Sequence, residues 1–294
     1  MIRRGIRNLL ILVLMGCGQA SLGEAPECSE LFAFCHDLQD SCKRSYAQQA
    51  AMLRELGYAG CGHVWLDGVE ERAATLSDAG LRLFQVYVLV DLSKPQPVDE
   101  NRIAGILPAL KLHETQLALL IKGGKPSDPA LDDKAVTLLR RLSKLCAPYG
   151  VSLVLYPHTG DWLEKCSDAV RVAEKVKHPG RVGVMFNLCH WMKADGNRDL
   201  GAVLKQAEPW LMAVSISGSD KPEAVRAGDG NWIQPLGQGT YELSELMSLL
   251  DEAGYSGMIG LQCYGLGGDA AVHLKNSMDA WRLLTQQGGV VRRK

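Results

Sequence analysis

From Leu31 onward the chain repeats one pattern eight times: a short apolar run, then a longer amphipathic stretch that stops near glycine or proline. LFAFCH (31–36) precedes a helix expected over 45–56, and CGHVW (61–65) one over 69–79. LRLFQVYVL (81–89) leads to 100–112, LALLIK (117–122) to 132–147 and VSLVLYPH (151–158) to 162–176. VGVMFN (182–187) leads to 200–206, MAVSIS (212–217) to 241–253 and MIGLQCY (258–264) to 269–284. Strands that alternate with helices must pair in parallel, because each helix carries the chain back to where it started. Eight such units predict a closed (β/α)8 TIM barrel as a single domain over 30–284. The rival is an open, doubly wound sheet, but no Gly-x-Gly-x-x-Gly opens a helix after the first strand. The remaining 285–294 reads as a basic tail.

A different segment precedes the barrel. Arg3, Arg4 and Arg7 form a positive patch before a short apolar run over 9–15, too brief to span a bilayer as a helix. This is the pattern of an export signal over 1–20. Two processing routes fit it. Leu14-Met15-Gly16-Cys17 is similar to the lipobox of bacterial lipoproteins and would place a lipid anchor on Cys17; Gly18-Gln19-Ala20 offers small residues for simple cleavage. The expected location is therefore outside the cytoplasm, in the periplasm or anchored to a membrane. Export permits disulfides, and Cys28 with Cys42 is the pair nearest the barrel entrance. Cys35, Cys61, Cys189 and Cys263 fall in or beside strands instead, where cysteine behaves as a small hydrophobe, so no disulfide is expected.

In such a barrel the chemistry lies where strands end. Alternation along each strand then selects the inward side chains. Strand five offers Val154, Tyr156 and His158, and strand six Gly183, Met185 and Asn187 with His190 just beyond. Strand seven offers Ala213, Ser215 and Ser217, and strand eight Gly260, Gln262 and Tyr264. His36, His63 and Lys122 stand at the ends of strands one, two and four. The group that converges is rich in imidazole and amide and lacks carboxylates. Lys122 precedes Gly123-Gly124 and reads either as a Schiff-base or phosphate lysine or as a solvated strand end. Trp232, in the loop before Pro235, reads as a surface for stacking a sugar ring or as a hydrophobic plug.

Six stretches make the comparison specific: ELGYAGCGHVWLDG, GVSLVLYPHTGDW, VGVMFNLCHW, AVSISGSD, IQPLGQGTYEL and GYSGMIGLQCYG. In their order and spacing, over about residues 30–284, the chain resembles the xylose isomerase-like family of sugar isomerases and epimerases. That resemblance implies a divalent metal (Mn, Mg or Zn) held by Glu, Asp, His and Glu from strands five to eight. Here the four positions match Tyr156, Asn187, Ser215 and Gln262, all neutral, so no metal ligands are assigned. A hard divalent cation is held mainly by carboxylate charge. His190 matches the histidine of the family's Asp-x-x-His.

His190 and His158 are therefore the candidate catalytic residues, since imidazole titrates near neutral pH. Asn187, Gln262, Tyr156, Tyr264, Trp232, His36, His63 and Lys122 are the candidate substrate contacts. A rebuilt zinc site through His36 and His63 is a further alternative. The chain's formal net charge of −1 gives no reason to expect nucleic acid as a partner, and the expected ligand is a small carbohydrate. Three functions follow: an isomerase or epimerase acting outside the cytoplasm, a metal-free sugar-binding barrel without turnover, or a histidine-based lyase or hydrolase.

Overall fold

A computed structural model describes residues 30–287. The export signal expected over 1–20, Cys17 with its lipid, Cys28 and residues 288–294 of the tail lie outside them. Eight parallel strands close into one barrel in chain order. They are β1 Leu31–Phe34, β2 Gly60–Val64, β3 Arg82–Asp91, β4 Gln116–Lys122, β5 Ser152–Leu155, β6 Val182–Asn187, β7 Leu211–Ile216 and β8 Met258–Gln262. The ring closes where β1 meets β8, with Phe34 opposite Gln262. The helices between them are α1 Tyr46–Leu56, α2 Val69–Asp78, α3 Glu100–Leu110, α4 Asp132–Cys146 and α5 Cys166–Val176. After them come α6 Leu188–Ala194, α7 Leu200–Ala207, α8 Pro222–Ala227, α9 Ser244–Glu252 and α10 Ala270–Gln287. The chain thus has the closed (β/α)8 architecture that its eightfold alternation predicts.

Three boundaries differ from the sequence reading for identifiable reasons. α6 follows β6 without a loop because Asn187 ends the strand and caps the helix: its Oδ1 accepts the His190 N–H at 3.0 Å. α5 starts at Cys166 rather than near 162, because Trp162 is spent on packing. Its ring is fully buried and its indole N–H donates to the Asp128 carbonyl at 2.6 Å. α10 runs to Gln287 and so includes the first residues of the expected tail.

Alternation sorts the buried side chains into two cores. Leucine, valine and isoleucine fill the layer between strands and helices. Phe32, Phe34, Phe84, Tyr87, Val154, Tyr156 and Met185 fill the barrel interior. Phe32 stacks on Phe84 at 4.9 Å and Phe34 on Tyr87 at 5.1 Å, and each buried ring stabilises the fold by roughly 2–3 kcal/mol. Room for them comes from glycine: a Cβ on Gly260 would stand 2.8 Å from Phe32, and one on Gly62 2.9 Å from Phe34. Below the aromatics a buried amide chain is satisfied, with Tyr87 donating to Gln85 at 2.6 Å and Gln85 to Gln116 at 2.9 Å. The cysteines among the described residues are free, and none of the described helices is long and apolar enough to cross a membrane.

Candidate active site

At the C-terminal end of the barrel, β5 to β8 bring four neutral side chains to one point. Tyr156 follows β5 directly, Asn187 ends β6, Ser215 lies in β7 and Gln262 ends β8. The Asn187 Nδ2 is 3.1 Å from Tyr156 Oη, 3.2 Å from Ser215 Oγ and 3.2 Å from Gln262 Oε1. All four residues are buried. The amide cannot turn round freely, because its oxygen is the α6 cap. Its nitrogen therefore faces the three oxygens, and two N–H groups are shared among three acceptors. Burial holds the Tyr156 phenol well above its ordinary range, so it stays protonated.

This donor set does not fit Mn2+, Mg2+ or Zn2+. The central atom is an amide nitrogen with no lone pair to give, and the oxygens around it are neutral and already engaged. Among the described residues, the group of three possible ligands within mutual reach is Asp40, Cys42 and Asp269. There the Arg44 guanidinium already lies 3.0 Å from Asp40 and 2.8 Å from Asp269, which supplies the positive charge. We expect the purified protein, loaded with Mn2+ or Zn2+ and then gel-filtered, to retain well below one equivalent by elemental analysis. One tightly held equivalent lost in Asn187→Ala would contradict this account of the centre.

Beside the amide cluster stand two imidazoles. His158 lies just past β5 and His190 in α6, with ring centroids 4.1 Å apart and the Tyr156 ring edge-on to both. His190 Nδ1 faces the Thr159 N–H at 3.3 Å, which makes it an acceptor and assigns the proton to Nε2. Among the described residues Nε2 has no hydrogen-bond partner. Burial, then the neighbouring His158 and Lys193, hold His190 well below its ordinary pKa, so the ring is neutral at pH 7. His158 Nδ1 lies 3.5 Å from Asp161 Oδ2. Burial lowers the His158 pKa and Asp161 pulls it partly back, while burial raises Asp161 itself. The expectation of a site without carboxylates is thus corrected by Asp161, which a turn folds back toward His158: its N–H donates to the His158 carbonyl at 3.0 Å. Ser217 Oγ, beyond β7, and Trp191 Nε1, in α6, are buried without partners among the described residues. Such atoms are costly unless a ligand or solvent satisfies them.

The remaining candidates are placed as follows. Lys122, at the end of β4, acts electrostatically on Asp161 and Asp91 and so belongs to the same side of the mouth. Trp232 is half-buried, with the Lys193 and Arg226 cations 5.7 and 5.9 Å from its ring. Tyr264 is on the rim, 57% exposed. His36 and His63 are not brought to the amide cluster. His63 faces the helices, with Nε2 2.7 Å from the Asp67 carbonyl and Nδ1 3.5 Å from Arg72. His36 is buried close to Asp37, Arg72 and His273, and both its ring nitrogens are unpartnered among the described residues. The four histidines therefore do not converge on a zinc site. At the opposite end of the barrel a cleft of about 360 Å³ is lined by Glu208, Met212 and Tyr255, but no cluster of titratable groups reaches it. Asp161, Thr159 and Lys193 belong to the site without having been singled out from sequence.

The profile of the family described as a xylose isomerase-like TIM barrel matches residues 50–283. Solved structures agree on the fold. D-psicose 3-epimerase from Clostridium cellulolyticum H10, with D-tagatose, is 16% identical over 90% of this chain and all of its own, at a TM-score of 0.65. The IolI protein with a bound zinc atom is 17% identical over 88% of this chain and 98% of its own, at 0.68. A family 2 AP endonuclease from Brucella melitensis is 16% identical over 87% and 99%, at 0.65. No curated protein matches the sequence.

Proposed function

Because the chain belongs to the xylose isomerase-like TIM barrel family, we propose that it is a metal-independent carbohydrate isomerase in which paired imidazoles replace the cation. The observation that carries the reading is the His158–His190 contact at 4.1 Å beside an amide centre that cannot hold a metal. His158, with Nδ1 turned to Asp161, presents Nε2 as the base that takes a proton from the carbon next to a sugar carbonyl. Neutral His190 donates its Nε2–H to the carbonyl oxygen as negative charge develops there, the task a Lewis acid would otherwise perform. The proton then returns from His158 to the former carbonyl carbon, while the hydroxyl on the carbon that lost it gives its own proton back to His190 Nε2, so that the new carbonyl forms there and both imidazoles end as they began. His158 alone takes and returns the proton, so it leaves and returns on one face of the sugar. That suits a shift between neighbouring carbons better than inversion of one centre. Gln262, Ser217 and Lys122 are assigned to sugar hydroxyls around this pair, with Asn187 holding Gln262 in place. Arg3, Arg4 and Arg7 before the apolar run, read as an export signal, support work outside the cytoplasm, either in the periplasm after simple cleavage or at a membrane through a lipid on Cys17.

A second reading, sugar binding without turnover, is favoured by the closure of the Asn187 cluster upon itself. The two separate in one experiment. The mature domain is incubated in D2O with a panel of free aldoses and ketoses and followed by proton NMR. Turnover is expected to exchange the hydrogen on the carbon beside the carbonyl and to form the isomeric sugar. Saturable binding with neither exchange nor product would leave the second reading standing and sink the first.

A further inference from the structure

The mouth of the barrel has two unlike sides. The polar group described above comes from β5 to β8. The loops after β8, β1 and β2 instead carry Tyr264, Leu38 and Trp65, which are 57%, 48% and 46% exposed. Single exposed apolar residues are ordinary. These three differ in how firmly their backbone is held. Gln39, next to Leu38, accepts the N–H of Gly265, next to Tyr264, at 2.9 Å. The Ser41 N–H donates to the Gly268 carbonyl at 2.8 Å, and the Ala270 N–H to Asp40 at 3.1 Å. The loops after β1 and β8 are thereby tied together. On the other flank Arg72 donates to Asp37 at 2.6 Å and reaches His63, whose other nitrogen meets Asp67. That ties the β1 loop to the β2 loop, on either side of Trp65. Trp65 itself holds φ at +71°, a conformation that bulky residues rarely adopt, while its N–H continues the ladder to the Tyr87 carbonyl at 3.0 Å.

We propose that Trp65 and Tyr264, with Leu38 from the loop between them, form an apolar ledge that takes the second ring of a carbohydrate longer than a monosaccharide. The inference rests on the carbohydrate reading above. Three observations choose this occupant. The ledge continues directly from the polar centre, since Gln262, bonded to Asn187, stands two residues before Tyr264 on the same chain. Three separate side chains are too small a patch to bury a protein or membrane partner. Each carboxylate around it already faces a guanidinium, Asp37 that of Arg72, Asp40 and Asp269 that of Arg44, and Asp67 that of Arg102, so none of the four stands free to bind a cation. A neutral sugar ring has apolar C–H faces for aromatic rings and keeps its hydroxyls in water.

The test is calorimetric titration of the purified protein with matched probes: D-glucose against cellobiose and maltose, D-xylose against xylobiose, and D-galactose against lactose. At least one disaccharide is expected to bind about tenfold more tightly than its monosaccharide. Trp65→Gly, which suits the positive φ and so preserves the backbone, and Tyr264→Ala are each expected to bring that ratio close to one. Leu112→Ala, exposed at the other end of the barrel, is the control and leaves the ratio as it was. A ratio that survives Trp65→Gly, or a monosaccharide that binds as tightly as every disaccharide, overturns the ledge while the carbohydrate reading stands. Binding of no sugar of either length overturns both.

Discussion

Between pH 6.5 and pH 4 the folded chain is expected to lose on the order of 3 kcal/mol of stability through His36 alone. Burial lowers the His36 pKa from 6.5 to about 4, with Arg72 and His273 adding to the effect and Asp37 opposing it. Above pH 6.5 the ring is neutral in both the folded and the unfolded chain, and nothing is lost. As the pH falls through that range the unfolded chain binds a proton that the folded chain refuses, so unfolding is favoured progressively. Below about pH 4 the folded chain protonates too, and the His36 contribution stops growing. His63, His158, His190 and His273 are shifted in the same direction by burial, which steepens the slope. Lowered carboxylates such as Asp40 titrate below 3.8 and act outside this window.

Substitution isolates the His36 share. Its ring nitrogens make no hydrogen bonds to the described residues, so an apolar side chain of similar size forfeits none. His36→Leu is expected to unfold at about the same urea concentration as the parent at pH 7. At pH 4.5 it should unfold at a higher one, narrowing the gap between the two pH values by about 2–3 kcal/mol. An unchanged gap would show that His36 is not the group that titrates. The result matters for function because it separates a structural histidine, on the helix side of the barrel, from the pair at the mouth.

That separation was only partly legible in the sequence. The eightfold alternation predicted the barrel, and the period of two along β5 to β8 selected Tyr156, Asn187, Ser215 and Gln262, which the fold brings together. The same period fails for His36 because Cys35, directly after β1, takes φ of +56° and breaks the alternation. His63 follows the period but on the other parity: Gly62 is the inward residue of β2, in contact range of Phe34 and Tyr87. Asp161 lies in a tight turn whose return toward His158 depends on backbone hydrogen bonds that no spacing rule reads. The orientation of the Asn187 amide depends on α6, a helix too short to announce itself by amphipathic periodicity. The inward positions of β5 to β8 were therefore readable from their period, whereas contacts that depend on turns and loop hydrogen bonds were not.

Removing the imidazole of His158 is expected to lower kcat by about 10²–10⁴ with little change in KM, as measured by solvent exchange or product formation on a turned-over sugar. His190→Ala is expected to cost about 10²–10³, the range for losing one donor to a developing oxyanion. Both side chains lie above the aromatic core rather than in it, so denaturation midpoints should move far less than rates. The pH profile distinguishes the base from its positioning residue. In the parent, kcat/KM should fall toward acid with an inflection below 6.5, because burial lowers His158. Asp161 opposes that shift by stabilising the imidazolium. Asp161→Asn is therefore expected to carry the inflection to still lower pH while also slowing turnover, since the base becomes weaker and less well oriented. His190 adds no second acid limb near neutrality, because it is already neutral there. An inflection that stays in place in Asp161→Asn, or a rate untouched by His158→Ala, would remove the pair from the chemistry and leave the mouth as a binding surface.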